Sequence, residues 1–106
     1  MFCRRRCYRN LQNGDIMLDE LKNKLSQGAI LIDVRSNQEY NEGHLQGAIN
    51  IPDFEIENRV QREIPKKNQQ IVLYCQYGGR SRKSYNTMKK MGYTNIYNLY
   101  GGLENI

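Results

Sequence analysis

The sequence predicts an α/β protein, a parallel β-sheet with helices packed on both of its faces. Short apolar runs alternate with helical segments at spacings of about 10–15 residues, which is typical of repeated strand–helix units. Residues 29–34 are too continuously apolar for a half-exposed strand, so we expect a central parallel strand that is covered on both faces. Residues 71–74 are rich in β-branched and aromatic residues, which favours a buried strand.

Four helices are predicted from apolar spacing and from helix start and stop residues. The first spans residues 19–27, where leucines share one face and a glycine follows. A capping box formed by Ser36 and Glu39 predicts the start of the second. The third covers residues 53–64 and carries Phe54 in its apolar stripe.

The last predicted helix opens at Ser81 and ends at Gly92. A turn at residues 100–103 then leads into a terminal helical stub. The remaining strands are predicted at residues 16–17, 48–51 and 95–99.

The length of 106 residues favours one domain. We assign residues 15–106 to that domain and residues 1–14 to a basic, irregular tail. No apolar run approaches the ~18 residues of a membrane helix, and no apolar segment typical of a signal peptide follows the charged start. We therefore expect a cytoplasmic monomer without membrane contact.

The formal net charge of +5 raises the question of nucleic-acid binding. Four of the 16 basic residues are arginines within residues 1–10, so that 12 basic side chains face 11 acidic ones in the rest of the chain. The rest is thus nearly neutral, and a solvated end explains the arginines better than an RNA-binding arm does. We expect no nucleic-acid partner.

The three cysteines fit no disulfide framework. Cys3 and Cys7 have the spacing of half a zinc site, but His44 is the only histidine and no second ligand pair follows. We therefore expect no metal and no organic cofactor.

Cys75 is the candidate nucleophile. It stands at the carboxyl end of a buried strand, the edge at which open α/β sheets bind ligands. Gly78 and Gly79 can both adopt positive φ, which lets successive N–H groups form an anion-binding nest. Arg80, Arg82 and the following helix N-terminus favour a thiolate. These features argue against the alternative, a buried cysteine before an ordinary turn.

Residues 75–81, CQYGGRS, resemble the active-site loop of the single-domain rhodaneses, the thiosulfate sulfurtransferase family. Three other stretches resemble the same family in its order and spacing, namely residues 31–35 with Glu39 and Tyr40, residues 43–52 and residues 98–103. The resemblance covers residues 15–103 and implies the rhodanese fold, with at most five strands.

The resemblance implies a sulfurtransferase. The Cys75 thiolate would take the outer sulfur of a small anionic donor such as thiosulfate, and a thiol or protein acceptor would remove it from the persulfide. Arg80, and secondarily Arg82, would attract the donor, while Tyr77 would line the mouth of the pocket. The expected anion- and persulfide-binding loop consists of Gln76, Tyr77, Gly78, Gly79, Arg80 and Ser81.

Three other polar residues have two possible roles each. Asp33 and Arg35 could line the site, but we favour a structural network with Glu39 and the turn at residues 43–44. The resemblance implies the same bracing role. His44 could act as a general base, but a turn histidine bonded to the backbone is the interpretation that we favour, because a thiolate needs no base.

Two other functions stay open. A cysteine phosphatase or arsenate reductase also cradles a thiolate, but it needs an arginine six residues after the cysteine. Ser81 occupies that position here, and Arg80 comes one residue early, so the loop is short for a tetrahedral oxyanion. The other function is a non-catalytic docking module of the same fold, against which the presence of Cys75 argues.

Deleting residues 1–10 should leave the melting temperature and sulfur transfer unchanged, because these residues show no apolar pattern that could pack against the domain. Thermal unfolding followed by circular dichroism, with a parallel activity assay, compares the two chains. A clearly lower melting temperature of the shortened chain would contradict the assignment of a tail.

Overall fold

The computed structural model describes residues 11–106, and the predictions for residues 1–10, including Cys3 and Cys7, lie outside this range. Residues 11–14 contain a turn and neither helix nor strand. Across residues 11–106, no helix combines the length and the apolar character that crossing a membrane requires. The division into a tail and one domain stays a prediction, as does the cytoplasmic location.

One parallel sheet organises the fold. Its strands are β1 (Asp15–Ile16), β2 (Ile30–Asp33), β3 (Ile49–Asn50), β4 (Ile71–Tyr74) and β5 (Ile96–Leu99). Their order across the sheet is β1-β5-β4-β2-β3, and each neighbouring pair is parallel. The predicted parallel sheet of five strands is therefore confirmed, with β4 at its centre.

Helices cover both faces of this sheet, as predicted. The α-helices are α1 (Leu18–Ser26), α2 (Asn37–Glu42), α3 (Ile56–Glu63) and α4 (Gly79–Lys90). Two short 3₁₀ helices lie at Asp53–Glu55 and Gly102–Asn105, the second at the predicted terminal stub. Side chains of α3 and α4 pack on one face, and those of α1 and α2 pack on the other.

The alternation of side chains along β4 divides the core in two. Ile71, Leu73 and the adjoining Cys75 lie on the face covered by α3 and α4. Val72 and Tyr74 lie on the face covered by α1. All five side chains are buried, which explains why this stretch is apolar without interruption. The same alternation directs the Cys75 thiol toward α4.

Of the two helix starts predicted near the candidate site, one is confirmed and the other is wrong. The predicted capping box of α2 is confirmed, since Ser36 and Glu39 each bond the backbone N–H of the other. The predicted start of α4 at Ser81 is wrong, because α4 begins at Gly79. Gly78, with φ of 104°, makes the turn alone, and Gly79 does not have positive φ. The expectation that both glycines adopt this conformation is therefore wrong as well.

The apolar stripe predicted for residues 53–64 is only partly correct. Ile56 and Val60 of α3 are buried, but Phe54 is 73% exposed. The chain forms a 3₁₀ helix before α3, and the change of period between the two helices removes Phe54 from the buried face. The prediction of Phe54 in the buried stripe is therefore wrong.

The terminal 3₁₀ helix holds the segment that follows β4. The Leu103 and Glu104 N–H groups donate to the carbonyls of Cys75 and Gln76, each over 3.0 Å. Gly102 permits this approach, because a Cβ at this position would lie 2.4 Å from the Cys75 carbonyl oxygen. Gly102 also has φ of 64°, which a side chain would strain. The last 3₁₀ helix thus holds the backbone around Cys75 in place.

Gly102→Ala should lower the free energy of unfolding by about 2–6 kcal/mol, the sum of left-handed backbone strain and overpacking. Gly79→Ala is the matched control, since a Cβ there meets no atom within 4 Å. Because α4 already includes Gly79, the control should stay within about 1 kcal/mol of wild type. Urea unfolding measures both variants, and equal stabilities would contradict the packing argument.

Candidate active site

Two backbone N–H groups surround the sulfur of the buried Cys75. The Gly78 N–H donates to Sγ over 3.1 Å, and the Ser81 N–H donates to it over 3.4 Å. These groups belong to the N-cap and the first turn of α4, whose N–H groups have no partner within the helix. Together with the helix dipole, they favour negative charge on the sulfur. The predicted N–H cradle thus contains donors that reach the thiol.

The Ser81 side chain extends this arrangement. The Cys75 thiol lies 3.4 Å from Ser81 Oγ, to which it donates, and the Ser81 hydroxyl donates to the Gly78 carbonyl over 3.2 Å. Ser81 is fully buried, so its hydroxyl has no alternative partner in water. A hydroxyl rotates freely about its C–O bond, and it can therefore donate to the sulfur once the thiol has lost its proton.

The two arginines expected to attract the donor are both engaged in ion pairs. Arg80 contacts Glu39 through both nitrogens of its fork, Nη1 to Oε1 over 2.7 Å and Nη2 to Oε2 over 3.1 Å. Hydrogen bonds from Arg80, followed by the Ser36 backbone, lower the pKa of Glu39 to about 2. Arg82 pairs with Asp15 at the start of β1. The positive charge next to the loop is thus compensated.

Asp33 and Arg35 form a buried pair, in which Arg35 Nη2 lies 2.8 Å from Asp33 Oδ2. The hydrogen bond to Asp33 raises the pKa of Arg35. Arg35 also donates to the Gly43 carbonyl over 2.6 Å. The structural network favoured from the sequence is therefore confirmed for Asp33, Arg35 and the turn. The inclusion of Glu39 in it is wrong, since Glu39 pairs with Arg80 instead.

Tyr74 links this network to the turn at residues 43–45. Its hydroxyl donates to Asp33 Oδ2 over 2.8 Å and accepts from the Leu45 N–H over 2.9 Å. Burial raises the pKa of Tyr74, so the hydroxyl keeps its proton and stays a donor to Asp33.

Gln76 has a side-chain role that the sequence did not predict. Its Oε1 accepts from Arg35 Nη1 over 3.2 Å, and its amide nitrogen donates to Glu104. Gln76 therefore ties the loop to the network after β2 and to the terminal 3₁₀ helix. These partners are 41 and 28 residues away in the chain, and no local pattern points to them.

His44 belongs to a structural turn. Its Nδ1 lies 2.8 Å from the Tyr40 carbonyl, and its ring stacks on the Tyr40 ring with centroids 3.7 Å apart. The favoured interpretation of a turn histidine bonded to the backbone is confirmed.

A cavity of about 380 Å³ lies beside the loop. Tyr77, which is 73% exposed, and Gly78 contribute its wall on the loop side. The remaining lining residues are Gln12, Asp15, Arg82, Asn98, Tyr100, Gly101, Glu104 and Asn105. Within residues 11–106, no group of three or more histidine, cysteine or carboxylate side chains is arranged to hold a metal ion.

The model of the rhodanese-like domain family matches residues 17–106. The chain belongs to this family. The thiosulfate sulfurtransferase PspE of Escherichia coli is 41% identical over 75 residues, which are 71% of each chain. Among solved structures, a human single-domain sulfurtransferase, TSTD1, matches with a TM-score of 0.79 and 31% identity over 89% of this chain and 95% of that one. A rhodanese from E. coli solved with anions has a TM-score of 0.68 and 38% identity over 74% and 92% of the two chains.

These relatives support sulfurtransferase activity for this rhodanese domain, which the sequence predicts. Neither PspE nor TSTD1 is named as a phosphatase or an arsenate reductase. The roles of the individual loop residues stay predictions.

Ser81→Ala should lower kcat/KM for sulfur transfer by roughly 10- to 150-fold, the value of one hydrogen bond to a charged group. Ser84→Ala is the matched control on the same helix. Ser84 is also buried, and its hydroxyl has no partner among residues 11–106. Steady-state kinetics with thiosulfate and cyanide compares the two variants. Equal activities would show that the Ser81 hydroxyl does not support the reacting sulfur.

Proposed function

We propose that this rhodanese-family sulfurtransferase carries the transferred sulfur as a persulfide on Cys75. The observation that carries the proposal is the placement of Gly78 N–H, Ser81 N–H and Ser81 Oγ around one buried thiol at the end of the central strand. A structural cysteine in a core needs no such donors, since a neutral thiol is only a weak acceptor.

The proposed reaction has two steps. The Cys75 thiolate attacks the outer sulfur of thiosulfate and forms a new S–S bond, while the S–S bond of thiosulfate breaks and sulfite leaves with its electron pair. An acceptor, cyanide in an assay or a thiol, then attacks the outer sulfur of the persulfide and regenerates the Cys75 thiolate. The sulfur is transferred without a separate oxidant or reductant, so no cofactor is required.

The loop supports both steps by the same means. The charged sulfur moves from Sγ to the outer atom of the persulfide, and backbone N–H groups of residues 76–81 would remain close to it. Such preorganised donors stabilise charge without reorganising during the reaction. The donor is a small anion in this proposal, because Arg80 is part of the loop. The acceptor is a thiol or a protein.

Two alternatives receive less support. Phosphate transfer needs donors for several oxygens at once. Arg80 also follows Cys75 one residue earlier than the arginine of the phosphatase pattern, and the contacts around Sγ do not alter this spacing. A docking module would not need a thiol at the centre of this cradle. Neither alternative is favoured by the relatives described above.

Intact mass of the protein after thiosulfate treatment tests the proposal. Wild type should gain one sulfur atom, and a thiol such as dithiothreitol should remove it. Cys75→Ala should fold, gain no sulfur and show no thiosulfate:cyanide activity. This variant keeps Cys3 and Cys7, so it is also the control for sulfur carried elsewhere.

Aryl phosphates are assayed in parallel on the same two proteins. We expect no turnover of them by wild type. Unchanged sulfur transfer by Cys75→Ala would refute Cys75 as the carrier, and phosphatase activity that depends on Cys75 would favour the first alternative. A folded wild type that neither gains sulfur nor hydrolyses phosphate would favour the docking module.

A further inference from the structure

We propose that Glu39 is a specificity-determining residue, which competes with the sulfur donor for Arg80 and thereby sets the preference between doubly and singly charged donors. The inference rests on the proposed function of Cys75. It follows from the geometry of the pair, from its exposure, and from its position next to the loop.

Glu39 occupies the part of Arg80 that an anionic donor would use. Each terminal nitrogen of the guanidinium donates to one carboxylate oxygen, Nη1 to Oε1 over 2.7 Å and Nη2 to Oε2 over 3.1 Å. The oxygens of a thiosulfate or thiosulfonate group would fit the same planar fork in a similar way. One fork cannot hold both partners in this geometry. Glu39 and the donor therefore exclude each other.

The exposure of the two ion pairs shows which arginine is exchangeable. Arg80 and Glu39 side chains are 37% and 34% exposed, whereas those of Arg82 and Asp15 are 16% and 3% exposed. Separating a buried pair leaves a charge without solvent, but an exposed pair separates at little cost because water replaces the partner. Arg80 can therefore release its carboxylate, and Arg82 stays bound to Asp15.

Glu39 does not lose all its partners when Arg80 leaves. Its Oε1 also accepts from the Ser36 N–H over 3.0 Å and from the Ser36 hydroxyl over 3.1 Å. The capping box thus keeps the carboxylate in place beside the loop. In the intact pair, the hydrogen bonds from Arg80 and then from Ser36 lower the pKa of Glu39 to about 2, so the carboxylate is charged at neutral pH. It therefore competes with the donor for Arg80 at that pH.

Arg80 lies in the first turn of α4, next to the residue that contacts the sulfur. It directly precedes Ser81, whose N–H donates to Sγ over 3.4 Å. The hydrogen bond to Glu39 raises the pKa of Arg80, so the guanidinium keeps its charge. A released Arg80 would therefore face the oxygens of a donor whose outer sulfur reaches Cys75.

The test uses two donors that differ by one charge, thiosulfate as the dianion and methanethiosulfonate as the monoanion. Removing the Glu39 charge leaves the charge of Arg80 uncompensated, and the attraction of Arg80 for a donor is proportional to the charge of that donor. Glu39→Gln should therefore lower KM about 3-fold for the monoanion and about 10-fold for the dianion, with smaller changes in kcat. High salt should reduce both effects.

Glu42→Gln is the matched control. It removes the same charge from the same helix, but Glu42 bonds Gln38 and not Arg80. Its KM values should stay near those of wild type. Glutamine at position 39 still suits the capping box, so the helix start is kept. If Glu39→Gln does not fold, Arg80→Gln is measured with the two donors instead. It should raise KM more for thiosulfate than for methanethiosulfonate.

The double variant, which combines Glu39→Gln with Arg80→Gln, completes a double-mutant cycle. In the Arg80→Gln background, Glu39→Gln should no longer change the ratio of the KM values for the two donors. Equal changes in KM for both donors, or equal effects of Glu39→Gln and Glu42→Gln, would overturn the inference while sulfur transfer itself persists. Absence of Cys75-dependent transfer with either donor would instead refute the proposed function, and this inference with it.

Discussion

The arrangement around Cys75 depends on one change of backbone direction at Gly78. With φ of 104°, this residue turns its own N–H toward the sulfur and lets α4 begin at the next residue. The first turn of α4 then brings the Ser81 N–H to the same atom. A side chain at Gly78 would be strained and would approach the Gly101 backbone to 3.1 Å. The convergence of strand, loop and helix therefore requires glycine at this position.

The loop is held in place mainly by residues outside it. The carbonyls of Cys75 and Gln76 accept hydrogen bonds from Leu103 and Glu104, and Gln76 also bonds Arg35 through its side chain. Arg35 in turn is fixed by the buried Asp33. Preorganised donors lower a barrier only if they stay in position, and these bonds supply that rigidity. The family motifs at residues 31–35 and 98–103 thus meet at one place.

Local signals in the sequence predict most of the fold, and contacts distant in the chain account for what they miss. The apolar run of β4 and the capping box of Ser36 and Glu39 involve neighbouring residues, and both predictions are confirmed. The pairing of Glu39 with Arg80 joins residues 41 positions apart, so spacing alone did not reveal it. The predicted helix start is two residues late because two adjacent glycines are typical of a loop. The hydrogen bond from the Arg82 N–H to the Gly78 carbonyl instead places Gly79 in the first turn of α4.

The clamp formed by the terminal 3₁₀ helix also bears on how the protein is made. During synthesis, β4 can pair with β2, and α4 can pack on β4, before residues 103 and 104 exist. A nascent chain of that length has its cysteine in place, but the carbonyls of Cys75 and Gln76 lack their partners. These two hydrogen bonds can form only once β5 and the turn after it are present. The two hydrogen bonds that fix the carbonyls of Cys75 and Gln76 are therefore among the last contacts within residues 11–106 that synthesis makes possible.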